Sequence, residues 1–313
     1  MTTSMTVLII ALVAALLILF LRWSDKSITA AEYIIDDDRI GWDFNEMRIL
    51  QVSDLQNCLF GPYQIRLCRA AQKLHPDIIV ITGDFLDRRH TNYMAADNAM
   101  AYLSAIAPVF YADGNHERLL NEEDYNDFCC RWASTGNVTF LFNEAAEVIK
   151  KKSRMIIGGL SEETVNQSRG YNRKATTWDH QAVIDEVAGL FVEQRDQEIS
   201  FSAPPFRVLL AHEPQLLDDY VAGGAQLIFS GHAHGGQIRL PGTQGLYAPE
   251  QGWMPKLTSG VHRKEESRMV ISRGLGNSRF PFRLFNRPEL VLVRLRASKP
   301  GGKGWRKLFG ENE

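Results

Sequence analysis

The sequence is poor in cysteine and has no excess of basic residues. Its four cysteines are Cys58, Cys68, Cys129 and Cys130. They form no C-x-x-C pair and no disulfide-like framework, which excludes a disulfide scaffold and favours a reducing compartment. The formal net charge is −2, from 35 Lys and Arg against 37 Asp and Glu, so no nucleic-acid partner is expected. No solenoid-type repeat is visible, and 313 residues suffice for one large domain with a short appendage.

A long apolar run opens the chain, and nothing basic precedes it. Residues 7–21 are apolar throughout and would span about 22 Å as a helix, so flanking residues are needed to cross a hydrocarbon core of about 30 Å. A signal anchor, a cleaved signal peptide and a buried core helix compete as interpretations. Residues 1–6 lack the basic start of a cleaved signal, and the run is not amphipathic as a core helix would be. We predict a transmembrane anchor at residues 1–24.

The charges beside this run indicate its orientation. Arg22 and Lys26 follow the run, whereas only the α-amino group precedes it. The positive-inside rule then places the following domain in the cytoplasm. The expected location is therefore the inner (cytoplasmic) membrane, crossed once.

Composition divides the remaining chain into three parts. Residues 25–46 are polar and are predicted to be a linker. Residues 47–296 carry the alternating apolar runs of a folded domain. Residues 297–313 form a basic tail, with Lys299, Lys303, Arg306 and Lys307. A solvated terminus is the simpler interpretation of the tail, and a weak contact with anionic lipid is the alternative.

Within the predicted domain, strand-like and helix-like patterns alternate. Strand-like runs lie at 47–52, 77–82 and 108–112, with helical spacing at 61–74 and 93–106 between them. This order implies right-handed crossovers and a largely parallel sheet, whose ligands gather at the carboxyl ends of the strands. Further strand-like runs lie at 206–211, 225–230, 268–272 and 289–295, and we expect the last two to complete a second sheet. The polar segment 162–178 is predicted to be a substrate loop or a plain surface excursion.

Five polar clusters each follow an apolar run. They are Asp54-Leu55-Gln56, Gly83-Asp84, Gly114-Asn115-His116-Glu117, His212 and Gly231-His232-Ala233-His234. Taken singly, an Asp after a strand is a cap or turn residue, and a lone His is a partly buried side chain. Taken together at strand ends, their carboxylate, amide and imidazole groups are the ligands that a pair of divalent metals needs. The sequence therefore predicts a binuclear metal site.

The chemistry of two close cations assigns roles to these side chains. Two metals about 3.5–4 Å apart can activate water and neutralise phosphoryl oxygens, which suits phosphoester hydrolysis. Such a pair needs a bridging anion, for which Asp84 is the candidate. Asp54 would then serve one metal and Asn115 the other. The imidazoles that complete the two shells would come from His212, His232 and His234.

The order of the motifs resembles the calcineurin-like metallophosphoesterase superfamily, and in particular its bacterial membrane-anchored branch. The family pattern reads D-x-H, G-D, G-N-H-[DE], H and G-H-x-H, and the resemblance extends over residues 47–296. It implies an α/β (α+β layered) fold, a two-sheet β-sandwich flanked by helices, with one N-terminal transmembrane helix. It also implies two divalent metal ions, with Mn²⁺ favoured and Fe, Zn or Mg as alternatives.

The resemblance implies further roles for individual residues. Asp54, Asp84 and His234 would hold one metal, and Asp84, Asn115, His212 and His232 the other. His116 would act beside the phosphate as general acid or oxyanion stabiliser. Arg88, next to Arg89, could bind a second phosphate or an anionic head group, although a solvated pair is an equally good interpretation. The isolated His75, His90, His180 and His262 are predicted to be surface residues.

One position departs from the family pattern. Gln56 stands where the family usually has His, and its amide offers only a neutral carbonyl oxygen as a ligand. Three outcomes follow: Gln56 binds an oxygen-preferring ion such as Mn²⁺ or Mg²⁺, the first site is weak, or the first site is vacant.

These residues support one leading functional hypothesis. It is a metal-dependent phosphoester hydrolase with a metal-bound hydroxide, acting as a phosphodiesterase or pyrophosphatase on a membrane-associated or lipid-linked substrate. A soluble-substrate (nucleotide) phosphodiesterase and a catalytically silent module that binds a phosphorylated ligand are the alternatives. The basic, glycine-rich stretch that contains Phe280, Phe282 and Phe285 is interpreted as a membrane-facing rim.

Overall fold

The computed structural model describes residues 2–89, 93–172, 177–192, 201, 203–240, 244–278 and 280–297. The strands are β1 (Thr29–Asp37), β2 (Arg48–Val52), β3 (Ile78–Thr82), β4 (Val109–Ala112), β5 (Val138–Phe140), β6 (Glu144–Lys150), β7 (Ser153–Gly159), β8 (Phe206–Leu210), β9 (Leu227–Ser230), β10 (Tyr247–Ala248), β11 (Gly252–Trp253), β12 (Gly260–Lys264), β13 (Ser267–Ile271) and β14 (Glu289–Ala297). The helices are α1 (Thr2–Lys26), α2 (Ile65–Gln72), α3 (Tyr93–Ile106), α4 (Glu122–Ala133), α5 (Glu162–Ser168), α6 (His180–Leu190) and α7 (Leu217–Ala222).

These strands form two six-stranded sheets and one small hairpin, β10–β11. The first sheet has the order β1-β14-β2-β3-β4-β5, and the second has the order β12-β13-β9-β8-β7-β6. In the first sheet β2, β3, β4 and β5 are parallel neighbours, as the strand–helix–strand pattern predicts. In the second sheet β7, β8, β9 and β13 are parallel, with antiparallel strands at both edges.

Three hydrophobic cores hold the layers together. Val80 of the first sheet and Phe229 of the second belong to the core between the sheets. Ile79, the neighbour of Val80, points to the opposite face and packs in the core under α2, α3 and α4. Leu209 belongs to the corresponding core under α6 and α7. The result is a helix–sheet–sheet–helix sandwich, which confirms the predicted fold class, and it explains why the central strands are apolar at successive positions.

The segment predicted to be a linker, residues 25–46, contains a strand of the first sheet. β1 has nine residues and pairs in parallel with β14 from Thr29 opposite Glu289 to Asp37 opposite Ala297. Most of its side chains are partly or fully exposed, because β1 lies at the sheet edge, and this polar surface hid the strand from sequence reasoning. Ile35 is its buried contribution to the core between the sheets.

Two other segments differ from the sequence prediction. β14 belongs to the first sheet, antiparallel to β2, and not to the second sheet as expected. The predicted strand at 268–272 is β13, and it does lie in the second sheet beside β9. The segment 162–178 begins as helix α5, which ends at Ser168, and residues 173–176 lie outside the described part of the chain.

Helix α1 is apolar and exposed along its length. Residues Ser4–Lys26 form a helix long and apolar enough to cross a membrane, and it is the one such helix among the described residues. Leu8, Leu12 and Leu16 are each more than half exposed. The core-helix interpretation is therefore wrong, whereas an anchor and a signal sequence both remain compatible with this helix. Of the predicted basic tail, residues 298–313 lie outside the described chain, as does His90.

An ion network buried between α5 and the second sheet supports the domain. The Arg169 guanidinium donates to Glu213 at 2.9 Å and to Glu162 at 3.0 Å, and all three side chains are at most 1% exposed. Burial and the neighbouring Glu213 raise the pKa of Glu162 well above its usual value. For Glu213 the effect of burial is outweighed by His232 and Arg169, and its pKa is lowered. Arg169 therefore neutralises the charge of the buried Glu213 carboxylate, which directly follows His212 in the sequence.

Replacing Arg169 by Met should destabilise the fold strongly. The Arg169→Met variant leaves the Glu213 carboxylate buried without its cation, which typically costs about 3–5 kcal/mol. The measurement is the denaturant midpoint of the full chain in detergent, followed by near-UV circular dichroism. The exposed pair Arg263–Glu266 provides the control, because Arg263→Met should cost less than about 1 kcal/mol. Equal effects of both substitutions would contradict the role given to this network.

Candidate metal centre

All five polar clusters lie at one edge of the sandwich. Asp54 follows β2, Asp84 follows β3, His212 follows β8, and the pair His232 and His234 follows β9. Each of these five side chains is nearly fully buried, with at most 3% exposed. The carboxyl ends of parallel strands in both sheets meet here, which is why residues far apart in sequence converge.

The backbone at this edge adopts unusual conformations. Asp54, Asp84, His232 and His234 all have positive φ, between 45° and 64°, in a region that costs non-glycine residues about 1–3 kcal/mol. Such residues persist only where the surrounding structure holds them, and they cluster at functional sites. Gly83 allows a close approach, since a Cβ on it would lie 2.5 Å from Gly114 Cα and 2.7 Å from His212 Nδ1. The strained turns therefore serve to aim side chains into the site.

One group of donor atoms contains Asp84, His212 and His232, whose ligand atoms lie within 4.8 Å of one another. His212 Nε2 is 3.5 Å from Asp84 Oδ1 and 3.1 Å from His232 Nδ1. His212 Nδ1 is 2.7 Å from the carbonyl oxygen of Thr82, which turns Nε2 towards the other donors. Asn115 lies beside this group, since it lines a pocket together with Asp84 and His232. Two imidazoles, a carboxylate and an amide are a suitable set for a divalent metal.

A second group contains Asp54, Asp84 and His234, again with ligand atoms within 4.8 Å. His234 Nε2 lies 3.4 Å from Asp54 Oδ1. Ser53 Oγ donates to Asp54 Oδ2 at 2.6 Å and holds the carboxylate in place. Asp84 belongs to both groups, and the two histidines of the G-H-A-H motif belong to different ones. The residues present thus fit two adjacent cations that share one carboxylate.

The electrostatics of the site agree with this fit. Burial alone would raise the pKa of Asp84, but the charges of His116 and His212 outweigh it and hold the pKa well below the usual value. Burial lowers the pKa of His234 to about 4, so this ring is neutral at pH 7 and offers a lone pair. For His212 burial is outweighed by Asp84, and its pKa is raised. A metal ion bound by His212 would compete with the proton on this ring.

Gln56 contacts the shared carboxylate through its amide nitrogen. Nε2 donates to Asp84 Oδ2 at 2.7 Å, whereas Oε1 is buried without a hydrogen-bond partner. A buried acceptor without a partner costs about 1–3 kcal/mol. Turning the amide over would bring Oε1 towards the carboxylate, which is favourable only with a cation between the two oxygens. Gln56 therefore contacts the carboxylate that both ligand groups share and leaves its own oxygen without a hydrogen-bond partner.

Sequence reasoning missed the partner of His116. His116 Nδ1 lies 3.2 Å from Asp87 Oδ1, and the His116 backbone N–H donates to Asp84 Oδ1 at 2.8 Å. Burial disfavours the charged ring, but Asp84 and the hydrogen bond to Asp87 outweigh it and raise the pKa of His116. Asp87 follows Asp84 in the same loop, and this proximity in sequence was the available signal.

A second missed residue is Glu250, which lies before β11. Its Oε2 is 2.6 Å from His232 Nε2, the ring nitrogen turned away from His212. A carboxylate in this position fixes the orientation of a ligating histidine and increases its basicity. No pattern in the sequence linked Glu250 to the site, because it lies outside the five clusters.

The two ligand groups open into a pocket of about 400 Å³, within the usual range for small-molecule sites. Its lining includes Arg88 and Arg89, as the sequence suggested, and also Tyr247, Ser278 and Phe280. Arg89 is paired with Asp87 at 3.0 Å. His180 lies away from these groups on α6, where it contacts Asp219 at 2.7 Å.

A helix-flanked β-sandwich with buried carboxylates and imidazoles at its sheet edge is typical of metal-dependent hydrolases. The sequence profile of the calcineurin-like phosphoesterases matches residues 47–236, and the chain belongs to this family. Members of the family generally use two divalent metals. The prediction from the motifs is confirmed at the level of family, fold and enzyme class.

Several bacterial relatives align over most of the chain. The uncharacterized metallophosphoesterase YkoQ of Bacillus subtilis is 26% identical over 80% of this chain and 84% of its own length. The phosphodiesterase YaeI of Escherichia coli is 25% identical over 79% of this chain and 82% of its own. The UDP-2,3-diacylglucosamine pyrophosphatase LpxG of Chlamydia muridarum is 25% identical over 79% of this chain and 83% of its own.

Introducing a histidine at position 56, as in the family pattern, should strengthen metal binding. The Gln56→His variant replaces a neutral oxygen by an imidazole, a better ligand for most first-row divalent ions. We expect Mn²⁺ or Zn²⁺ to bind the first site about 10-fold or more tightly, the order seen for changes around a metal site. Calorimetric titration and elemental analysis of metal per chain would measure this. Gln56→Leu is the control for loss of the amide, and equal metal content in all three proteins would argue against a role for position 56.

Proposed function

We propose that the protein hydrolyses a phosphodiester or pyrophosphate bond in a membrane-associated or lipid-linked substrate, with two divalent metal ions. The observation that carries the proposal is the buried Asp84 carboxylate, which has donor groups of two separate sets on either side. A lone structural aspartate would not need imidazoles from both halves of the chain around it. Mn²⁺ is the favoured ion because oxygen donors form a large part of the sets.

The proposed ligands are those named by the motifs. Asp54, Asp84 and His234 would hold the first ion, with Gln56 beside it, and Asp84, Asn115, His212 and His232 would hold the second. When bound, the two ions would lower the pKa of water, which supplies a nucleophile for the phosphorus atom at neutral pH, and would neutralise charge on the phosphoryl oxygens. Asp84 would keep the two cations close, and Glu250 would keep the His232 ring in its orientation through their 2.6 Å contact.

His116 is the proposed proton donor. Its ring lies in the pocket beside Asp84, and Asp87 supports the charged form by accepting a hydrogen bond at 3.2 Å. Because its pKa is raised, the ring keeps a proton near pH 7 more readily than a free histidine does. It can therefore stabilise a phosphoryl oxygen or protonate the leaving oxygen.

The pocket and α1 support the proposed substrate class. Arg88 and Arg89 at the pocket lining suit an anionic phosphate next to the one being cleaved. The relative LpxG is named as a UDP-2,3-diacylglucosamine pyrophosphatase, whose substrate is a diacylated sugar nucleotide. Helix α1 would hold the present chain at a membrane. Arg22 and Lys26 favour a cytoplasmic domain on the inner membrane.

The same experiments distinguish the two alternative functions, a soluble-substrate phosphodiesterase and a silent binding module. A nucleotide phosphodiesterase would also use Arg88 and Arg89, and it would act on soluble diesters without preferring substrate in vesicles. A silent binding module is favoured by one observation, the donation from Gln56 to Asp84, which occupies an oxygen that the first ion would need. Hydrolysis with any divalent ion would exclude the binding module.

Loss of the Asp84 charge should abolish hydrolysis. The Mn²⁺-loaded protein should cleave bis(p-nitrophenyl) phosphate, and Asp84→Asn should reduce turnover by about 10³-fold or more, because charge stabilisation at a metal pair is worth several kcal/mol. The assay is release of p-nitrophenolate, with metal content measured on the same sample. Asp185→Asn on the exposed face of α6 is the matched control. Normal turnover in Asp84→Asn would refute the proposed site.

Removing the partner of His116 should reduce kcat and spare the metals. In Asp87→Asn the ring loses the carboxylate that orients it and supports its charge. Replacing a supporting partner of this kind typically lowers activity by about 10–100-fold. We expect kcat to fall by that factor while the metal content per chain stays unchanged. Asp218→Asn, at an exposed position in α7, serves as control. A loss of bound metal in Asp87→Asn would show that Asp87 supports the metal centre and not proton transfer.

A further inference from the structure

The end of helix α1 is fixed to the catalytic domain. The Arg283 backbone N–H donates to Asp25 at 2.6 Å, and Lys26 Nζ donates to the carbonyl oxygen of Leu59 at 3.0 Å. Arg66 donates to the carbonyl oxygen of Lys26 at 2.8 Å. β1 then begins at Thr29 and enters the first sheet. With bonds on several sides and almost no free chain between helix and sheet, the direction of α1 relative to the domain is set.

An exposed phenylalanine of the domain lies against the apolar part of this helix. The rings of Phe285 and Phe20 are 5.9 Å apart between centroids. Phe20 precedes Lys26 by about 9 Å along the helix axis, at 1.5 Å per residue. Phe285 is 55% exposed in the structure. If Phe20 lies in a bilayer, the exposed ring of Phe285 lies within 5.9 Å of the same depth and faces lipid as well.

The segment 280–285, which ends at Phe285, reaches the mouth of the pocket. Phe280 lines the pocket and is 41% exposed, and its ring lies 6.5 Å from that of Phe282. Arg283, between these residues and Phe285, is buried and donates to the carbonyl oxygen of Arg273 at 2.9 Å, which ties this segment to the domain. The pocket mouth and the lipid-facing ring therefore move together with the folded domain.

Basic side chains surround the base of the helix. Arg287 donates to Ser27 Oγ at 2.5 Å and lies over the Trp23 ring at 4.9 Å. Lys26 and Arg66 lie at the same level, next to Phe60 and Leu59. Aromatic rings together with Lys and Arg are typical of the membrane–water interface, where the rings sit among head groups and the cations attract anionic lipid.

We infer that Phe285 and Phe280, with Lys26, Arg66 and Arg287, form a membrane-contact face that holds the mouth of the pocket on the bilayer containing α1. The partner is the lipid bilayer itself, with anionic phospholipid head groups against the basic residues. The inference rests on the proposed anchor and deepens the proposed function. A phosphoester carried on a lipid would enter from the head-group layer past Phe280, without leaving the membrane.

Photo-crosslinking of the full chain would test the contact without using activity. Phe285, Leu12 or Ile149 is replaced by p-benzoylphenylalanine, and the protein is reconstituted in vesicles of phosphatidylethanolamine and phosphatidylglycerol. Leu12 is 59% exposed on α1, and Ile149 is 44% exposed on β6, at the far edge of the second sheet. We expect lipid adducts by mass spectrometry at Leu12 and Phe285 and none at Ile149. Adducts at Leu12 alone would overturn the inference and leave the anchor intact, and no adduct at Leu12 would overturn the anchor and the inference together.

A kinetic comparison gives a second readout. Phe285→Ser should leave cleavage of soluble bis(p-nitrophenyl) phosphate unchanged, because Phe285 does not line the pocket. Turnover of a phosphodiester lipid in vesicles should fall about tenfold, the order expected from losing one aromatic ring at an apolar contact. Ile149→Ser should change neither activity. Unchanged turnover on vesicles in Phe285→Ser would contradict the inference, even where the soluble assay supports the hydrolase.

Discussion

The Asp84 carboxylate carries a negative charge in a place that water hardly reaches, and such a charge is stable only where donors and cations surround it. Both sheets contribute to that environment, with His116 from the first and His212 from the second. Their strands must therefore end at one edge, and the turns after them must bend sharply enough to aim the side chains inward. The positive φ of Asp84 and the close approach at Gly83 are local results of this requirement. The same negative charge is what a pair of cations would neutralise.

Much of this arrangement follows from local features of the sequence. The run 77–82 is apolar at nearly every position because β3 has one face in the core between the sheets and the other under helices. Parallel strands then bring Asp54, Asp84 and Asn115 to one edge without further information. The G-H-A-H turn divides its two rings between the two ligand groups, as positions two residues apart on a tight turn allow.

The parts that sequence reasoning missed depend on contacts between distant segments. β1 looked like a linker because an edge strand needs few apolar side chains, and its partner β14 is far away in the chain. β14 joins the first sheet because it pairs with β2 as well as with β1. Asp87 and Glu250 have no motif of their own, since each acts through a histidine that the fold brings to it. The amide orientation of Gln56 likewise depends on Asp84, which the sequence alone does not position.

The parallel pairing of β1 and β14 also fixes the direction in which β14 runs relative to α1. Both strands start beside the base of α1, at Thr29 and Glu289, and run the same way for nine residues, a distance of about 30 Å. Ala297 thus lies one strand length from the point where the helix joins the domain. Because this distance separates Ala297 from the base of α1, the carboxyl end of β14 lies off the proposed membrane-contact face.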